Sequence, residues 1–177
     1  MEIDIVKVGQ LQTNCYILTI KENSIIIDPG DDYDAIINKV GNKNVNAILI
    51  THNHSDHIGA LKEVSNKYKC DVFSYKNLVE GFNSISDFNF KVIYTPGHTS
   101  DSISFLFEKE HVIFTGDFIF KDTIGRCDLP TGSFISMLKS LNNISKYKNL
   151  TIYPGHGDIT ELDYEKQHNP YFSIEIE

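Results

Sequence analysis

The sequence predicts a layered α/β protein. Three observations predict it. Short β-branched runs crowd both ends of the chain, with segments of helical spacing between them. Glycine and proline punctuate the ends of those runs. The chemically distinctive histidines and aspartates fall directly after runs, where layered α/β proteins gather their ligand loops.

The elements follow in order. Ile3 to Val8, Tyr16 to Ile20 and Ser24 to Asp28 read as strands, and Asp28-Pro29-Gly30 stops the third as a turn. Ala35, Ile36, Ile37 and Val40 lie at helical spacing within residues 33–40. Val45 to Thr51 reads as a buried strand. Ile58, Leu61, Val64 or Ser65, and Tyr68 mark one amphipathic helix. Asp71 to Tyr75, Lys91 to Thr95, Ser102 to Phe107 and His111 to Thr115 read as further strands. Phe134, Met137, Leu138, Leu141 and Ile144 trace one helix face, with Ser133 as its N-cap. Leu150 to Tyr153 is a last short strand. No linker, low-complexity tract or 20–50-residue repeat interrupts the chain.

Length and charge exclude several classes. The 177 residues suffice for one domain with a real core. Sixteen basic against 24 acidic residues give a formal charge of −8, and Arg126 is the one arginine. A duplex-binding or membrane-surface protein needs a basic face, so no nucleic-acid and no membrane partner is expected. Cys15, Cys70 and Cys127 are far apart and form neither a disulfide framework nor a C-x-x-C pair. The N-terminus lacks a basic segment followed by an apolar core, and no run approaches a membrane span. The expected compartment is the cytoplasm.

One stretch carries the chemistry: Thr51-His-Asn-His-Ser-Asp-His57. Three imidazoles and a carboxylate stand within six residues, directly after a strand-like run. His98, Asp117 and His156 follow three other runs, so four loops converge at one edge if those strands share a layer. Five histidines and two aspartates exceed one closed tetrahedral site and divide over two metals. Neutral imidazole with carboxylate suits Zn, Fe or Mn. Two such ions ~3.5–4 Å apart, sharing a carboxylate and a hydroxide, form a hydrolytic centre. His111 and His168 read as structural, and Cys127 stands outside the ligand set.

These residues resemble the metallo-β-lactamase superfamily. The His-x-His-x-Asp-His signature is His52, His54, Asp56 and His57, and the later histidines and the Gly-Asp pair follow in order. The resemblance spans nearly the whole chain, from Gly9-Gln-Leu-Gln-Thr-Asn-Cys-Tyr16 to Asn169-Pro-Tyr171. It implies an αββα four-layer sandwich over residues 1–177 as one domain. It also implies one metal on His52, His54 and His98, a second on Asp56, His57 and His156, and Asp117 as the bridge. Asp28 matches a position that supports these ligands. Asp56, His57 and Asp117 would be the residues nearest the chemistry.

Thr95-Pro-Gly-His-Thr-Ser100, Gly125-Arg-Cys-Asp-Leu-Pro130 and Pro154-Gly-His-Gly157 are similar to the glyoxalase II-like branch, the hydroxyacylglutathione hydrolases, in a short bacterial form. That branch carries a C-terminal helical domain that helps hold glutathione, and the sequence after His156 is too short to supply it. The resemblance therefore implies a zinc-dependent hydrolase of a small-molecule thioester of the S-lactoylglutathione type, attacked by a metal-bridging hydroxide. Arg126 and Lys121 are the candidate anchors for a substrate carboxylate. The alternatives are a mono-iron persulfide dioxygenase using His52, His98 and Asp117, and a lactonase or other metallo-hydrolase. The chain is expected as a monomer or homodimer.

Overall fold

A computed structural model describes residues 1–174. The expected domain runs to residue 177, and residues 175–177 lie outside that description. The strands are β1 (Glu2–Val8), β2 (Thr13–Ile20), β3 (Asn23–Ile27), β4 (Asn44–Leu49), β5 (Asp71–Phe73), β6 (Gly81–Ile85), β7 (Phe88–Tyr94), β8 (Ile103–Phe107), β9 (Val112–Gly116), β10 (Ile119–Phe120), β11 (Thr123–Ile124), β12 (Thr151–Pro154) and β13 (Thr160–Glu161). The helices are α1 (Tyr33–Val40), α2 (Ser55–Ile58), α3 (Leu61–Tyr68), α4 (Phe134–Ile144) and α5 (Leu162–His168). Five strands form one sheet in the order β1-β2-β3-β4-β5, and six form another in the order β13-β12-β9-β8-β7-β6. β10 and β11 make a separate hairpin.

Period-2 alternation explains why the sheets stack. Tyr16, Leu18, Ile25, Ile27, Ala47 and Leu49 point inward from the first sheet. They meet Phe88, Phe90, Phe105, Phe107 and Phe114 of the second. The intervening Cys15, Ile17, Ile26 and Ile48 point outward and pack under Ile36 and Val40 of α1 and Val64 of α3. On the other side Leu106, Ile113 and Ile152 lie beneath Met137, Leu138, Leu141 and Ile144 of α4 and Leu162 of α5. Strands buried on both faces read as continuous apolar runs, as these do. The result is the expected αββα sandwich. Each fully buried Phe or Ile in it contributes about 1.5–3 kcal/mol of burial.

The structure differs from the expected elements in two ways. The helix expected over Ile58 to Tyr68 is two helices, α2 and α3, broken at Gly59-Ala60. Ala60 gives its N–H to the Pro29 carbonyl (3.0 Å), and a Cβ on Gly59 would stand 2.2 Å from the Gly30 carbonyl. Tertiary contact with the 28–30 turn thus interrupts the helical pattern. The strands β6, β10, β11 and β13 and the helix α5 carry no sequence signal. They are short or polar, and α5 buries only Leu162 and Glu165. Ser133 caps α4 as expected, its hydroxyl accepting from the Ser136 N–H (3.2 Å). No described helix is long and apolar enough to cross a membrane.

Strand direction positions the site. β3 and β4 run parallel in the first sheet, and β9 and β12 run parallel in the second. β7 is antiparallel to β8, and β8 to β9, so β7 shares the direction of β9. The loops after β3, β4, β7, β9 and β12 carry Asp28, the 51–57 stretch, His98, Asp117 and His156 in turn.

Candidate metal centre

All seven histidine and aspartate residues singled out by the sequence come together. His52, His54 and His98 form one cluster, His52, His57 and Asp117 a second, and Asp56, His57 and His156 a third. His54 Nδ1 lies 3.1 Å from His52 Nε2 and 2.8 Å from His98 Nε2. His156 Nε2 lies 3.1 Å from Asp56 Oδ2, and His57 Nε2 lies 3.5 Å from it. Asp117 stands between these groups. Its Oδ2 is 3.5 Å from His98 Nε2, while its Oδ1 is 3.2 Å from His57 Nε2 and 3.5 Å from His156 Nε2. His111 and His168 stay exposed and away from this centre, and Cys127 is not in any of its clusters.

Hydrogen bonds on the far side of each ring decide which nitrogen faces inward as a lone pair. His98 Nδ1 donates to the Arg126 carbonyl (2.7 Å), and His156 Nδ1 donates to the Leu11 carbonyl (3.1 Å). A carbonyl can only accept, so Nδ1 holds the hydrogen and neutral Nε2 is free. His57 Nδ1 donates to Asp28 Oδ2 (2.8 Å). The Thr51 hydroxyl donates to the same oxygen (2.6 Å), which leaves it to accept from His52 Nδ1 (3.1 Å). Asp28 Oδ1 accepts the Thr51 N–H (2.8 Å). Asp28 therefore orients His57 directly and His52 through Thr51. This is the outer hydrogen bonding that fixes the tautomer of a metal-binding imidazole.

The donor set fits divalent cations. His57 Nε2 and Asp117 Oδ1 are buried and find no hydrogen-bond partner among the described residues, although they face each other. Buried polar atoms without partners cost about 1–3 kcal/mol each. Nitrogens bound tetrahedrally at 2.0–2.1 Å would sit ~3.4 Å apart, close to the spacings around His54. Without a cation, burial drives His52 down to about 2, and the neighbouring His57 adds to this. Burial also opposes charge on His57, but Asp28 and Asp117 outweigh it and lift that group to about 10. Asp117 moves the other way: burial raises it, yet the imidazoles, His57 first, hold it near 2. A cation at these nitrogens competes with protonation of His57.

Two glycines permit the close approach. A Cβ on Gly155 would stand 2.3 Å from Asp117 Oδ1 and 2.7 Å from His57 Cε1. Gly116 adopts φ +52°, and a Cβ there would meet Thr51 Oγ1 at 2.3 Å. Beside Asp56 a cleft of about 330 Å³ opens between Leu11, Gly30, Asp31 and Ser55.

Arg126 and Lys121 do not join the seven. The Arg126 guanidinium grips Asp128 with both Nε and Nη2 (2.7 and 2.8 Å) at the surface. The Arg126 carbonyl lies under His98 Nδ1. Lys121 lies exposed between β10 and β11, and neither side chain hydrogen-bonds to the centre among the described residues. The Leu11 and Arg126 carbonyls carried no residue-type signal, since a backbone carbonyl is common to every residue, and the Thr13 and Thr51 hydroxyls act on partners that only the fold brings near.

Comparison with known proteins agrees with this geometry. The family model of the metallo-beta-lactamase superfamily matches residues 8–84 and 78–156. The hydroxyacylglutathione hydrolase GloC of Haemophilus influenzae is 29% identical, over 98% of this chain and 99% of its own. The crystal structure of the BLEG-1 B3 metallo-beta-lactamase superposes with a TM-score of 0.91 at 30% identity, over 97% of this chain and 100% of the other. That of TTHA1623 in a di-iron-bound form gives 0.86 at 27%, over 95% and 99%. With a match across most of its length and the His/Asp clusters of a divalent-metal hydrolase at its strand ends, the chain belongs to the metallo-β-lactamase superfamily.

Proposed function

We propose that the chain is a dinuclear metallo-hydrolase that cleaves a small-molecule thioester of the S-lactoylglutathione type. The observation that carries the two-ion reading is Asp117, whose two oxygens face different groups of imidazoles. His52, His54 and His98 would hold one ion, and Asp56, His57 and His156 the other. The likeness to GloC supports the substrate class, and the di-iron form of TTHA1623 supports the ion count. Zinc is the expected metal, with iron or manganese also suited to these donors.

Cations bound here would supply a water of lowered pKa and polarise the carbonyl under attack. The chain's own part is preorganisation. Asp28, Thr51, Leu11 and Arg126 hold four imidazoles with Nε2 inward. Asp56 and Asp117 present carboxylate oxygens to the same space and orient the attacking water. The attacking water gives one proton to solvent, its oxygen bonds to the carbonyl carbon, the C–S bond breaks, and a carboxylic acid and a thiolate result. A thiol pKa of about 8.5 means that the leaving group needs little acid assistance. This suits a centre in which the converging side chains are ligands. The cleft beside Asp56 offers room for part of the substrate.

The test is hydrolysis of S-lactoylglutathione by protein loaded separately with Zn, Mn and Fe, beside a chelated control. Metal-dependent turnover with kcat/KM above about 10⁴ M⁻¹s⁻¹ supports the assignment. No turnover with two metals bound refutes the substrate. Oxygen uptake with glutathione persulfide by iron-loaded protein would replace hydrolysis by dioxygenation.

A further inference from the structure

The two halves of the centre share Asp28, which orients His57 directly and His52 through Thr51, but their other supports come from different parts of the chain. Thr51 adjoins His52 in sequence, and the Arg126 carbonyl reaches His98 from the loop after β11. In the other half, Asp56 and His156 depend on the turn and strand start at residues 11–14. The Leu11 carbonyl accepts from His156 Nδ1 (3.1 Å). The Thr13 hydroxyl donates to Asp56 Oδ2 (3.2 Å). Asn14 clamps the backbone on both sides of His156. Its N–H donates to the Gly155 carbonyl (2.8 Å), and its Nδ2 donates to the Pro154 and Gly157 carbonyls (3.0 and 3.1 Å). Thr13 and Asn14 are both buried.

The clamp matters because of what it holds. His156 is flanked by Gly155 and Gly157, the latter at φ +76°. A loop with glycine on either side of a ligand has more backbone freedom to lose than any other, at about 1–2 kcal/mol per residue fixed. Covalent neighbours cannot supply that order here. It comes from β2 of the opposite sheet, some 140 residues away in sequence.

Resting on the two-ion reading above, we infer that Leu11, Thr13 and Asn14 form a positioning strap. It sets Asp56 and His156 of the second site and makes no bond to His52, His54 or His98. The two ions are therefore separable by substitutions that touch no ligand. Outer hydrogen-bond partners of ligands typically control 10–100-fold in metal affinity. That factor should fall on one ion only.

The experiment uses the full chain, stripped with chelator and titrated with Zn²⁺. Metal per chain is read by mass spectrometry, and affinity by competition with a chromophoric chelator. Thr13→Val keeps the shape and removes the hydroxyl. Tenfold or weaker binding of the second ion, with the first within twofold of wild type, is the expected result. Equal weakening of both ions, or no change in either, overturns the strap. Asn14→Asp sets a carboxylate against two carbonyls, and its effect is read on metal-free protein. The Gly155 amide, bonded to the Gly116 carbonyl (2.8 Å), should exchange its hydrogen at least tenfold faster. Unchanged exchange in a folded variant overturns the strap by itself. A wild-type chain that takes a single ion refutes the two-ion reading instead, and the exchange result then decides the strap alone.

Discussion

Asp28→Asn is the sharpest perturbation of the centre, because it alters no ligand and almost no volume. Asp28 Oδ2 receives two donors, His57 Nδ1–H and the Thr51 hydroxyl, and Oδ1 receives the Thr51 N–H. An amide NH₂ in place of Oδ2 puts a donor against two donors. Relief requires both to reverse. His57 then moves its hydrogen to Nε2, and the Thr51 hydroxyl turns its own towards His52 Nδ1, which pushes the His52 hydrogen to Nε2 as well. Each half of the centre loses one inward lone pair. Turned the other way, the NH₂ faces the Thr51 N–H, a donor that cannot reverse, at a cost of about 1–3 kcal/mol. The expected loss is 10–100-fold in affinity for each ion, about 1.4–2.8 kcal/mol per site. Zn²⁺ competition titration on stripped protein measures it, and the ¹⁵N shifts of His52 and His57 report the tautomers. Wild-type affinity for both ions in a folded Asp28→Asn chain would refute the orienting role.

Three further outcomes follow from the same geometry. Gly155→Ala drives a methyl into Asp117 and His57, so metal content should drop, with about 1–3 kcal/mol of overpacking that lowers Tm by several degrees. Ser133→Ala removes the α4 cap and should cost about 1 kcal/mol, a fall of about 2–4 °C in Tm at this chain length, with metal stoichiometry unaltered. The third concerns pH. His57 is raised from 6.5 to about 10 in the metal-free fold, so its stabilisation is full below pH 6.5 and is lost as pH rises towards 10. The increase in Tm on adding Zn²⁺ should therefore grow across that window, and scanning calorimetry with and without metal from pH 6.5 to 9.5 checks it. A constant increment would show that no proton is displaced.

Much of this protein was legible in one dimension. The apolar runs Tyr16-Ile17-Leu18 and Phe105-Leu106-Phe107 read as strands, and the fold buries both their faces, because a pleated chain sends successive side chains to opposite sides. The spacing of His52, His54, Asp56 and His57 predicts a metal site, because few other uses need so many donors together. The later residues of the clusters, His98, Asp117 and His156, could be found as well, since each follows a strand. These are local signals, written in residue type and short separation.

Tertiary structure decided the rest. It split the expected helix at Gly59-Ala60, since the bond to Pro29 comes from another loop. It placed the Arg126 carbonyl beneath His98, a role that the residue type does not announce. It set Asp117 with one oxygen towards each half of the centre, and it bound His156 to a strand near the other end of the chain. The physical reason is common to all of these. Hydrogen-bond direction between distant loops depends on how two sheets stack and on which backbone atoms then face each other, and a backbone atom leaves no mark in the sequence.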